Sequence, residues 1–123
     1  MNSIKKTLVS KELTQVLGED GAEKLREAAE LMTEVTGFEC QRNLSAGIPG
    51  DVGDLHGIPN TVIQVCDWAD KNSACLVKPR EVEVQKENAG VDFVGTMVRF
   101  RGGKWRIVLT PEQFNTLLQA ALH

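Results

Sequence analysis

A chain of 123 residues, 41% hydrophobic and 25% charged, is one domain with enough apolar material to bury a core of its own. Its formal net charge of -3 means that any basic, polyanion-binding surface has to be local rather than general. No apolar run approaches the roughly 18 residues of a membrane span, the start Met1-Asn2-Ser3-Ile4-Lys5-Lys6 lacks the apolar stretch of a secretion signal, and three cysteines with no Cys-x-x-Cys pair fit a reducing, cytoplasmic setting.

Residues 1–18 read as an N-terminal arm carrying a short helix over Lys11–Leu17, capped by Ser10 and stopped by Gly18. Residues 19–123 form the single domain. Its first helix is expected from about Gly21 to Val35, with Asp20 as N-cap, because Leu25, Ala28, Ala29, Leu31 and Met32 recur at helical spacing and Gly37 follows. Phe38–Asn43 begins like a strand, and Leu44 to Gly53, with Gly47, Pro49, Gly50 and Gly53, is a loop. Thr61–Val65 is β-branched almost throughout and predicts a central strand. A helix over roughly Ala74–Asn88, with Pro79 in a first turn or at a kink and Gly90 at its end, leads to two alternating runs, Val91–Arg101 and Lys104–Leu109, around Gly102-Gly103. Thr110-Pro111-Glu112-Gln113 is a capping box that opens a helix carrying Phe114, Leu117, Leu118, Ala121 and Leu122. The order α-α-β-β-β-α-β-β-α, with strand–helix–strand around 61–98, predicts an α/β fold in which a central mixed sheet is flanked by helices.

Two constellations carry chemistry. The first is Gly53-Asp54, a turn through Gly57-Ile58-Pro59, and then Gln64 and Cys66 two apart on the next strand, so that both point to one face. Phosphodiester hydrolysis uses hard divalent cations, which prefer carboxylate oxygens, and a lysine beside them to orient the water. Asp54 supplies a carboxylate, Gln64 an uncharged oxygen of similar shape, and Cys66 no cation. Asp51, Asp67, Glu27 or Glu30 are further carboxylates that could approach, and Lys71 or Lys86 could replace a lysine. Taken alone, Asp54 in Gly-Asp-x-x-Gly is a turn residue more often than a ligand, and Gln64 and Cys66 are more often core neighbours.

The second is the hairpin. A two-residue Gly-Gly turn sets Arg101 opposite Lys104 and Arg99 opposite Arg106, with Phe100 facing Trp105 and Val98 facing Ile107, so one face carries four cations and the other is apolar. Like charges across a strand pair are unfavourable, which points to an anionic partner, a phosphate backbone first of all. A solvated, aggregation-resistant edge is the plainer alternative. Arg42 would extend the track, and Trp68 would either stack on a base or pack.

In serial order, Gly37-Phe38, Gly53-Asp54, Gly57-Ile58-Pro59, Val62-Ile63-Gln64-Val65, Glu81 to Lys86, Asn88-Ala89-Gly90-Val91-Asp92-Phe93, the Arg-rich hairpin and Thr110-Pro111-Glu112-Gln113-Phe114 together cover about two-thirds of the chain. Over that span it resembles the phage and archaeal Holliday-junction-resolvase-like proteins of the PD-(D/E)XK nuclease superfamily. The resemblance implies a PD-(D/E)XK fold and a magnesium- or manganese-dependent endonuclease on branched or structured DNA, acting as a homodimer. Asp54 and Gln64 would then be the metal positions and Asp54, Gln64 and Cys66 the catalytic set. Arg42, Arg99, Arg101, Lys104 and Arg106 would bind DNA. Gln64 stands where the family has Glu, and Cys66 where it has Lys, so cleavage is expected to be weak or lost. The rival expectation is a non-catalytic module that binds nucleic acid or protein on the same scaffold, such as a phage inhibitor.

Overall fold

In the computed structural model, residues 21–43, 53–67, 69 and 71–123 are described. The expected short helix over Lys11–Leu17 and the N-cap at Asp20 lie outside them, as do Asp51 and Trp68.

Helix α1 covers residues 21–36 and ends at Gly37, whose φ of +79° supplies the left-handed stop that the sequence promised. Among the described residues five strands follow: β1 Gln41–Arg42, β2 Leu55–His56, β3 Thr61–Asp67, β4 Phe93–Phe100 and β5 Lys104–Val108. They form one mixed sheet in the order β1-β2-β3-β4-β5, antiparallel throughout except for the parallel pair β3–β4. Two parallel neighbours need a crossover, and helix α2, Lys78–Ala89, provides it. Residues 71 and 72 are already helical, and the run widens into a π-turn over Ser73–Val77 just ahead of Pro79. Proline has no N–H to give an interior turn, and the π-turn lies where the helical run meets Pro79, the second residue of α2. Helix α3, Pro111–Leu122, opens on the expected capping box, Thr110 and Gln113 each bonding the other's backbone N–H.

The strand expected over Phe38–Asn43 contracts to Gln41–Arg42. It is held close to the β2–β3 turn by Gly57, whose φ is +112° and where a Cβ would collide with the Glu39 carbonyl.

Strand alternation divides the core. On one face α1 packs Leu25, Ala28, Ala29 and Met32 against Leu55, Ile63, Val65 and Met97 in a single cluster. The other face holds two smaller clusters. Val82 of α2 covers Val62 and Val94, while Ala74 of the π-turn covers Cys66 and Val98. Between these two lie Gln64 and Thr96, register partners across β3–β4, buried and polar.

The hairpin corrects the sequence expectation. Arg101, Gly102 and Gly103 together form the turn, so Phe100 faces Lys104, Arg99 faces Trp105 and Val98 faces Arg106. A three-residue link shifts the register by one, and each one-residue shift exchanges faces. The face with four cations and the apolar face opposite are therefore replaced by two mixed faces. Met97 and Trp105 turn toward α1 with Arg99, while Phe100, Lys104 and Arg106 share the side of Val98.

Candidate functional site

The Asp54 turn is built as a closing device for β3. Asp54 N–H donates to the Ile63 carbonyl at 3.0 Å, and Asp54 Oδ2 accepts the Val65 N–H at 2.7 Å. The carboxylate thus takes over as strand partner where two-residue β2 stops. Val65 lies between Gln64 and Cys66, so positions 54, 64 and 66 are brought to one short stretch of β3. Gln64 is buried, and its Oε1 and the Oγ1 of neighbouring Thr96 make no hydrogen bond among the described residues. Cys66 packs against Ala74 and Val98. Burial pushes its thiol up to about 11, with the charges of Asp67 and Asp54 adding to the rise and those of Lys24 and Lys78 opposing it. The thiol is neutral at physiological pH.

These donors do not fit magnesium. One carboxylate, already accepting a backbone N–H, stands beside an uncharged amide and a neutral thiol, whereas hard cations need several oxygens, mostly anionic. Among the described residues no group of three or more His, Cys, Asp or Glu side chains could hold a metal ion. Of the other carboxylates considered for the site, Asp51 lies outside the described residues, and the rest are engaged elsewhere or exposed. Glu27 binds Arg99, and Asp67 binds both Arg99 and Lys24. Glu30 is on the exposed side of α1. Lys86 pairs with Glu83 on α2.

One residue beyond Cys66, at the carboxyl ends of the parallel strands, a cleft of about 810 Å³ opens. This is where open α/β sheets generally place ligands. Asp67, Ala69 and Lys71 line it where β3 runs toward the crossover helix, and Arg99, Phe100, Arg101, Lys104 and Arg106 line it from the hairpin. Of the eight described residues that line it, five are cationic and one is acidic, in a chain of net charge -3.

The cations differ in role. Arg99, 18% exposed at its side chain, donates from Nε to Asp67 Oδ1 at 3.1 Å and from Nη1 to Glu27 Oε2 at 3.0 Å. Lys24 reaches Asp67 Oδ2 at 3.4 Å, completing a network that ties α1 to β3 and β4. Arg101, Lys104, Arg106 and Lys71 are exposed. Arg42 sits in β1, at the opposite margin of the sheet from the hairpin. The structure therefore brings Arg99, Arg101, Lys104 and Arg106 together and leaves Arg42 apart from them. Sequence reasoning missed Lys24 and the structural engagement of Arg99. The only hint was that Lys24 and Glu27, three apart, border the apolar stripe of α1 at Leu25 and Ala28.

The chain matches no family model, no curated protein and no solved structure. No helix among the described residues is long and apolar enough to cross a membrane.

Proposed function

We propose that this protein is a DNA-binding protein on a PD-(D/E)XK, resolvase-like scaffold that has given up cleavage. It holds branched or structured DNA through the cleft at the β4–β5 turn. The carrying observation is the concentration of Lys71, Arg101, Lys104 and Arg106 around one cleft in an acidic chain. Exposed like charges gathered this way repel one another until an anion sits among them.

The scaffold part of the reading is supported by the order of parts. Asp54 precedes a short hairpin, Gln64 and Cys66 follow on its second strand, and a crossover helix leads to a parallel neighbour. The loss of cleavage follows from the donor set, which provides one charged ligand and no cation in the lysine position. The test is a four-way junction offered to the full chain, with magnesium or manganese, in binding and cleavage assays. Salt-sensitive binding without strand scission is expected. Absence of binding, or metal-dependent scission that Asp54→Ala abolishes, overturns the proposal.

The homodimer implied by the resemblance finds support in α3. Phe114, Leu117, Leu118 and Leu122 lie along one stripe and are 37–68% exposed, and the helix carries a single acidic residue, Glu112, in its first turn. Antiparallel pairing of two copies would cover the stripe and set Glu112 of each against His123 of the other. A helix of this length offers about 18 Å of seam, less than a tight interface needs, so the dimer is weak. Sedimentation should show concentration-dependent association that Leu118→Glu removes; a wild type that stays monomeric at high concentration rejects the pairing.

A further inference from the structure

Resting on the nucleic-acid reading above, we infer that the cleft takes unpaired nucleotides, bases inward and phosphates at its rim, rather than the side of a duplex. The argument is the distribution of polarity within it. Its walls are the half-buried ring of Phe100, Ala69 and the methylene stems of the basic side chains, with Phe100 packed on its inner side against the Cys66–Val98 cluster. The charges of Arg101, Lys104 and Arg106 line the same cleft from the turn and β5 and are exposed, where Phe100 is half-buried. A surface meant only for phosphates needs cations and no apolar recess. A duplex turns its bases inward and would leave such a recess wet.

An unstacked base fills an apolar recess and keeps its phosphates beside the cations, which is how aromatic side chains and basic grooves share the work on single strands. The volume of about 810 Å³ suits this. It lies in the range of roughly 300–1,000 Å³ that encloses a small organic ligand, while a duplex is too wide to enter. Arg99, held by Asp67 and Glu27, lines the cleft in one position.

The experiment is fluorescence anisotropy with the full chain and four probes at matched salt. They are an oligo(dT) of about 12 nucleotides, within the usual span of a single-strand site, a duplex of the same length, an abasic strand of the same length and charge, and a four-way junction. Oligo(dT) is expected to bind at least about fivefold tighter than the duplex, and the abasic strand about tenfold weaker than oligo(dT), in line with the loss of base stacking. Phe100→Leu, which keeps an apolar side chain against the core, should weaken oligo(dT) and leave the abasic strand unchanged. Equal affinity for oligo(dT) and the abasic strand, or preference for the duplex, overturns this inference while the DNA-binding reading stands. Failure of all four probes overturns both.

Discussion

Arg99 and Asp67 are register partners across the parallel β3–β4 pair, and they are joined side chain to side chain at 3.1 Å. With Glu27 on the far side of the guanidinium, Arg99 connects the sheet to α1. Arg99→Ala should therefore lower stability by about 1–2 kcal/mol, since it removes the guanidinium from two partly buried carboxylates, Glu27 and Asp67, the second of which keeps Lys24; solvent screening holds the figure below that of a fully buried network. Arg101→Ala, at the exposed turn, should stay within about 0.5 kcal/mol of wild type. Urea midpoints of the two variants compared with wild type check this, and equal midpoints for both would remove the structural role of Arg99.

The proposed DNA contacts are to be tested on Arg101 and Lys104 and not on Arg99, where a loss of binding would be confounded with a loss of packing. Arg101→Glu combined with Lys104→Glu should weaken DNA binding and reduce the slope of log affinity against log salt by about two, with thermal stability nearly unchanged. A slope identical to wild type would place the phosphate contacts elsewhere.

The Cys66 thiol gives a pH signature. Its pKa in the folded protein, about 11, lies above the ordinary value of 9.0, so the folded state holds its proton more tightly than the unfolded chain does. The contribution to stability is complete below about pH 9 and is lost as pH rises from there through about 11. Burial raises the Cys40 thiol too, with the same sign. Urea midpoints measured across this alkaline window should decline, and Cys66→Ala should flatten part of the decline. In native protein near pH 8, Cys66 should also react with thiol reagents far more slowly than in urea.

The scaffold itself can be tested by restoring charge. Gln64→Glu with Cys66→Lys supplies the second carboxylate and the cation that the resemblance assigns to these positions. Magnesium-dependent nicking of a four-way junction is expected from the double variant and not from wild type. The price in stability is that a lysine must be accommodated beside Ala74 and Val98. A double variant that still folds and binds DNA but never cleaves would count against the nuclease scaffold.

Much of the architecture could be read from the chain because the signals were local. The capping box of Thr110 and Gln113, the left-handed stops at Gly37 and Gly90, and the β-branched run of β3 each depend on a few neighbouring residues. The hairpin register was not local. Gly102 and Gly103, both with positive φ, fit a two-residue turn as well as a three-residue one. What decides between them is which of Trp105 and Arg106 faces the α1 cluster, a tertiary choice. The same limit applied to the site. The spacing of Asp54, Gln64 and Cys66 placed them on one stretch of strand, but the use of the Asp54 carboxylate on the Val65 N–H, and of Glu27 on Arg99, depends on distances between elements far apart in sequence.

The margins of the sheet carry one more consequence. One outer strand, β1, spans only Gln41–Arg42, and the other, β5, exposes Lys104 and Arg106. Neither offers a long, flat, apolar template to which a foreign strand could add, and both ends follow the habits by which natural sheets resist fibre growth. Copies of this chain are thereby discouraged from joining backbone to backbone.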